Sequence, residues 1–429
     1  MKCRMKVHVF GNSPSPAVST YGLRRTAQEA VQQFGEDARG FVQRDFYVDD
    51  ALKSLSCEED AISLLQRMQK MLCTANITLH KIASNRQNVL NAFSPQDRAQ
   101  GLKSLDLNKD TSNMQRSLGL LWDVDNDTFV FRAPLQDQPY TRRGVLSTVN
   151  SLFDPLGFVA PVTVQGKHLL RDLVTEGYDW DTPLSDANKQ SWDEWKNSLQ
   201  ALNCLRVRRT YVPHSTSEAA TREIHVFSDA STSAIAAVAY LRVIDKQGNK
   251  HVGFVMGKAK LAPKPDHTIP RLELCAAVLA AEMADAILRE LDFQPSSVTF
   301  YTDSKVVLGY IHNKTRRFYV YVANRVQRIR ASTRPGQWKY VCTEENPADH
   351  ATRPIPAAQL EKTNWFSGPD FLTQPQGEAS SSCFKLIDPN EDEEVRPEVR
   401  TFVTKTNQRQ QLGAESFGDG AHSHELWLA

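Results

Sequence analysis

Four acidic residues in the second half of the chain could do chemistry together: Asp229 in Phe-Ser-Asp-Ala-Ser, Glu273 in Pro-Arg-Leu-Glu-Leu, Asp303 in Tyr-Thr-Asp-Ser-Lys and Asp349 in Asn-Pro-Ala-Asp-His. They lie 44, 30 and 46 residues apart, so only a tertiary fold could gather them. Singly, each has an ordinary structural reading: Asp229 as a turn acceptor, Glu273 as a first-turn helix acid, Asp303 as a helix cap. Together at one sheet edge, four ionised carboxylates repel unless cations neutralise them. Two Mg²⁺ or Mn²⁺ ions about 3.5–4 Å apart would do so, and would set a water against a phosphoester. The same four residues are thus the candidate catalytic groups and the candidate metal ligands.

Two further features carry chemistry. Tyr47-Val48-Asp49-Asp50 places adjacent carboxylates at what reads as a hairpin tip, where Asp49 and Asp50 are candidate ligands for Mg²⁺ or, more plainly, turn residues between two strands. Between Lys314 and Arg334 seven basic residues occur with no acid among them, and Phe318, Tyr319 and Tyr321 are interleaved. Arg316, Arg317, Arg325, Arg328 and Arg330 are candidate phosphate contacts, since a heteroduplex is read by backbone and shape. Phe318 and Tyr321 fit core packing better.

The whole chain qualifies these features. In 429 residues Lys and Arg total 51 against 50 Asp and Glu, a formal charge of +1. That sum excludes a uniformly basic binder, so any phosphate grip must be local. No stretch approaches the roughly 20 apolar residues of a membrane span, and the amino terminus lacks the apolar core of a secretory signal. Seven scattered cysteines without a CxxC pair point to reduced thiols in an intracellular protein, cytoplasmic or nuclear.

The elements that must position these residues are legible from Glu223 onward. Three strand-like runs, with Lys246 to Asn249 as a turn, precede a long Ala/Leu-rich helix opened by Pro270. A fourth strand, SVTFYTD, is followed by short helices at Lys305–His312 and Phe318–Arg330 and by a fifth strand, QWKYVC. This order predicts an α/β domain with a mixed five-stranded sheet. Upstream, the pattern predicts a strand at Val7, a helix from Tyr21 to Phe34, and an amphipathic helix from Cys57 to Cys73 capped by Ser56. LGLLWDVDNDTFVF reads as a hairpin turning at Asp125–Asp127. Helices are expected at Gln165–Leu173 and Ser191–Leu199, and a linker at Tyr211–Thr221. Beyond about Gln376 the Ser-, Gln- and Glu-rich composition predicts a disordered tail, 376–429.

FGNSPSPAV, YVDD, Lys81 and above all SLFDPLGFVAP resemble the pol polyproteins of BEL/Pao long-terminal-repeat retrotransposons over about residues 5–365. The resemblance implies a multidomain α/β and α+β chain. Residues 1–110 would be a partial reverse-transcriptase palm, 111–210 a connecting, thumb-like Pao segment and 222–355 a ribonuclease H-like domain. It implies metal-dependent hydrolysis of the RNA strand of RNA–DNA hybrids, with two Mg²⁺ or Mn²⁺ ions on Asp229, Glu273, Asp303 and Asp349. It also implies other pol or gag products as partners, and no membrane.

The chain departs from that family twice. A palm needs a third metal-binding Asp upstream of the FG-SP segment, where only six residues precede Val7. Asp37 and Asp45 follow that segment, so the polymerase is expected to be a truncated, inactive remnant. Relatives carry a His shortly after the fifth-strand Trp, where Tyr340 stands here, and His350 occupies a position usually apolar. A decayed or domesticated nucleic-acid-binding protein is the alternative. An aspartic peptidase label also travels with the central segment, but neither Asp-Thr-Gly nor Asp-Ser-Gly occurs.

Overall fold

The computed structural model describes residues 12–48, 50–99, 114–117, 120–133, 138–213, 219–264, 267–374 and 384–397. The N-terminal part is helical: α1 (Ser15–Glu29), α2 (Val31–Phe34), α3 (Glu36–Arg44), α4 (Glu58–Cys73) and α5 (Gln87–Asn91). Between α3 and α4 a minimal antiparallel hairpin joins β1 (Phe46–Tyr47) to β2 (Asp50–Ala51). Helix α1 starts at Ser15 rather than Tyr21, because proline is accepted in a first helical turn. The strand expected at Val7 lies outside the described residues. Cys57, not Ser56, caps α4, its Sγ accepting the Asp60 N–H at 3.4 Å. Leu23, Phe34, Phe41, Met68, Met71 and Leu72 form the core of this part.

The middle of the chain forms an antiparallel sheet in the order β3 (Met114–Ser117), β4 (Leu120–Asp123), β5 (Thr128–Val130), β6 (Arg206–Arg208). The β4–β5 hairpin is the expected one. The Asp123 carboxylate accepts the Asn126 N–H, and Asp127 takes a left-handed φ of +51°. Helices α6 (Arg142–Ser151), α7 (Ala160–Thr175) and α8 (Asp186–Ser198) pack beside it. Within SLFDPLGFVAP the Asp154 carboxylate accepts the N–H groups of Phe158 and Val159, both at 2.8 Å, at the entry to α7.

From Thr221 the chain builds β7 (Thr221–Ala230), β8 (Ala234–Ile244), β9 (Lys250–Leu261), α9 (Ile269–Glu290), β10 (Ser297–Thr302), α10 (Lys305–His312), α11 (Val320–Ser332) and β11 (Trp338–Tyr340). The sheet order is β11-β10-β7-β8-β9, with β7, β8 and β9 antiparallel and β10 and β11 parallel to β7. This is the mixed five-stranded sheet expected from the sequence. Along β8 the pleat sends Ala234, Ala236, Val238 and Tyr240 into one core, and Ile235, Ala237, Ala239, Leu241 and Val243 into the other. One layer contains α9, α10 and α11; the other contains α7, α8 and the segment 357–372. Burial on both faces explains why β8 reads as an almost unbroken apolar run.

The expected disordered tail needs correction over 384–397, which is folded against α10 and α11. Phe384 and Leu386 pack on the core, and Phe318 and Val395 form an antiparallel bridge. A composition poor in apolar residues still docks here because its few apolar side chains and its carboxylates find partners on a basic face. The remainder of 376–429 lies outside the described residues.

Candidate active site

Asp229 occupies the penultimate position of β7, and Asp303 follows β10 directly. These strands are parallel neighbours with Ser228 and Thr302 in register, so the two carboxylates leave adjacent strands at the same edge. Glu273 stands one turn into α9. Asp349 lies in a 3₁₀ turn, Pro347–Ala351, that packs over β7 and β8. Asn346 anchors that turn, its Nδ2 donating to the Ser228 carbonyl at 3.0 Å. The fold therefore brings all four predicted acids to one end of the sheet.

Their electrostatics show the convergence. Burial first, and then the charges of Asp303 and Asp349, push the Asp229 carboxyl up to about 7 against the opposing pull of the Thr352 hydroxyl. Burial and the Asp303 charge raise Glu273 as well. Asp349 is raised by burial and by Asp303, with Arg353 and His350 opposing. Asp303 is thus the charge that the other three feel in common.

Each acid also has a protein partner. The Thr352 hydroxyl donates to Asp229, the Thr343 hydroxyl donates to Asp303 at 2.7 Å, and Ser304 draws the Glu273 carboxyl back down against its burial. Arg353 Nε lies 3.0 Å from Asp349 Oδ1 without the alignment for a hydrogen bond. Thr343, Thr352 and Asn346 were missed in the sequence. Nothing in a lone Thr or Asn marks it, and the α10 cap expected at Asp303 is Ser304 instead, accepting the Val307 N–H. As the side chains lie, no three His, Cys, Asp or Glu among the described residues are close enough to hold an ion. The donor set nevertheless suits one. It is all carboxylate oxygen, as hard divalent cations require, and Asp303 Oδ1 and Asp349 Oδ1 are buried without a hydrogen bond.

The other predicted residues divide. Asp50 is exposed on β2, while Asp49 lies outside the described residues. Asp37 is paired with Arg67 and Asp45 with Lys53. Tyr340 is exposed on β11, with Lys305 Nζ 5.0 Å from its ring centre. His350 bonds Asn364 at 2.7 Å.

Among the arginines, Arg330 needs correction. Its guanidinium donates to the carbonyls of Ile311 and Asn313 and so caps the end of α10. Arg325 stacks 3.5 Å from the Tyr321 ring centre and donates to Cys275 Sγ. Arg328 lies 3.4 Å from Glu282 of α9, an acid that no inspection of 314–334 could supply. Arg317 is exposed, and Arg316 is engaged by the segment 384–397. Phe318 and Tyr321 pack against the core as expected.

Residues 141–304 match the family described as "Pao retrotransposon-like RNaseH-like domain". The matched stretch runs without a break across the linker expected at Tyr211–Thr221. No curated protein matches the chain in sequence. Among solved structures, the foamy viral protease–reverse transcriptase dRH, in complex with double-stranded DNA, is similar at 12% identity and a TM-score of 0.42, covering 77% of this chain and 49% of that one. This chain thus spans about half the length of the viral one. Ribonuclease H1 from the halophilic archaeon Halobacterium salinarum is similar at 15% identity and a TM-score of 0.20, covering 34% and 93%. LC11-RNase H1 in complex with an RNA/DNA hybrid is similar at 13% identity and a TM-score of 0.21, covering 36% and 99%. Scores this low leave the ribonuclease H-like fold resting on the family match and on the sheet topology.

Proposed function

We propose, from the premise that residues 141–304 belong to the Pao retrotransposon-like family and make this a pol-like retroelement protein, that the chain hydrolyses the RNA strand of RNA–DNA hybrids. The observation that carries this reading is the convergence of Asp229, Glu273, Asp303 and Asp349 at one sheet edge, each of the other three sensing the charge of Asp303. These four residues would hold Mg²⁺ or Mn²⁺, which supplies a polarised phosphate and a water ionised near neutral pH. The Thr352 and Thr343 hydroxyls orient Asp229 and Asp303. Arg317 and the exposed basic residues beside it would hold the duplex by its phosphates, without reading bases. Asp50 and Asp49 are proposed as remnants of a polymerase hairpin.

Other pol or gag products are the proposed protein partners, in the cytoplasm or nucleus. Among the described residues no helix is long and apolar enough to cross a membrane. A second reading, binding without hydrolysis, draws support from the absence of three carboxylates already gathered to ion-holding distance among the described residues. The peptidase label has no such support.

The test is cleavage of a labelled RNA–DNA hybrid by the full chain in Mg²⁺, beside Asp229→Asn and Asp303→Asn, with circular dichroism to confirm folding. Loss of at least a hundredfold in rate in both folded variants is expected, since Mg²⁺ tolerates little departure from octahedral oxygen geometry. Ca²⁺ should support binding and little cleavage. Equal cleavage by all three proteins would remove the four acids from the mechanism. A folded, inactive wild type that still binds the hybrid would favour the second reading.

A further inference from the structure

The basic face beside the carboxylate site is covered by the chain's own acidic segment. Asp388, Glu391, Asp392, Glu393 and Glu394 place five carboxylates within seven residues, against seven cations between Lys314 and Arg334. The Glu394 carboxylate pairs with Arg271, which stands two residues before Glu273 on α9. The Tyr310 hydroxyl of α10 donates to Asp392 at 2.8 Å. Arg316 donates to the Asn390 side chain at 3.1 Å and to the carbonyls of Pro389 and Arg396 at 3.3 and 3.2 Å. The main chain adds Tyr319 N to Glu394 O at 3.0 Å and Arg396 N to Arg317 O at 2.7 Å. At Gly309 any Cβ would come within 2.8 Å of the Lys385 carbonyl, so α10 carries its only sterically permissive residue where the segment crosses.

We propose that Asp388–Glu394 occupies the surface that takes the phosphate backbone of the duplex, so that segment and duplex compete for Arg271 and Arg316. The proposal rests on the nucleic-acid reading above. The chemistry is shared: a guanidinium donates to carboxylate, carbonyl or phosphodiester oxygens with the same fork of N–H groups. The clasp is also displaceable. The Arg271 side chain is one-third exposed although its partner Glu394 is buried, so water reaches the pair from one side, and the main-chain pairing is a single bridge rather than a ladder. A tethered competitor lowers apparent affinity by the fraction of molecules in which it is seated.

The experiment measures fluorescence anisotropy of a labelled RNA–DNA hybrid titrated with the full chain in Ca²⁺. It compares wild type, the double variant Asp392→Asn with Glu394→Gln, and Tyr310→Phe, which loosens the clasp without changing charge. The double variant should bind roughly three- to tenfold more tightly at low salt, and the difference should close as salt screens both proteins. Tyr310→Phe should move the same way by less. Adding hybrid to wild type should speed tryptic cleavage at Lys385, which Leu386 follows.

Folded variants that bind no more tightly than wild type, with no change in proteolysis, would overturn the proposal even if the hybrid is cleaved in Mg²⁺. Tighter binding by the variants, with no cleavage by any protein, would uphold the competing segment and sink the hydrolytic reading. Absence of hybrid binding by every folded protein would overturn both.

Discussion

Asp229 carries the largest consequence of being placed among other acids. Its folded-state carboxyl is pushed up to about 7, by burial first and then by Asp303 and Asp349, whereas an unfolded aspartate titrates near about 3.9. Between those values the folded protein keeps a proton that the unfolded chain has released. Stability must therefore fall as pH rises from about 4 to about 7, and level off above. Urea unfolding in the presence of a chelator should show this slope for wild type. Asp229→Asn, which cannot ionise, should flatten it and be the more stable protein at pH 8. Millimolar Mg²⁺ should also flatten it for wild type, because a cation favours the ionised carboxylate. Identical pH slopes for wild type and Asp229→Asn would mean that Asp229 is not perturbed.

At the scale of elements, the contact between SLFDPLGFVAP and β9 joins the two halves of the chain. Gly257 donates to the Leu156 carbonyl at 2.8 Å, and Gly157 has a φ of +76°. A Cβ on Gly157 would stand 1.8 Å from the Gly257 carbonyl oxygen, and one on Gly257 would strike the Trp365 ring. Backbone against backbone leaves nothing flexible to yield. Gly157→Ala is expected to cost on the order of 3 kcal/mol or more, clash added to left-handed strain. Gly177→Ala, also left-handed at +81° but with nothing within 4 Å, should cost only about 1 kcal/mol. Thermal unfolding of the two variants checks the contrast, and equal losses would mean that the close approach is relieved by movement. Arg330 teaches the same lesson from the side of charge. A guanidinium that looks free in a basic run is committed to the end of α10.

Across the molecule, the five-stranded sheet lies between a layer of α9, α10 and α11 and a layer of α7, α8 and the segment 357–372, with Trp192, Trp195 and Trp365 buried in the latter. The N-terminal helices keep a separate core. Their hairpin presents Asp50 to solvent, while Asp37 and Asp45 are held by Arg67 and Lys53. These 429 residues are therefore expected to give no templated primer extension in Mg²⁺ or Mn²⁺. A polymerase assay checks this, and extension lost in Asp49→Asn would reveal a third ligand. The clasped segment and the carboxylate site share α9, through Arg271 and Glu273, which places binding and chemistry on one rigid element.

The sequence by itself determined the local order of elements from Thr221 onward, because strand alternation, Pro270 at a helix start and the Lys246–Asn249 turn are short-range signals. It also determined which acids could matter, since each stands at a strand or helix end whose position those signals set. What tertiary structure alone decided depends on residues far apart in the chain. Glu282 reaches Arg328, Thr352 reaches Asp229, and the carbonyls ending α10 take Arg330. The acidic tail segment that composition marked as disordered finds Arg271 and Tyr310 more than 80 residues upstream. Local pattern reports propensity and burial, but the partner of a charge is chosen by the three-dimensional approach of chains, and no spacing along the sequence encodes it.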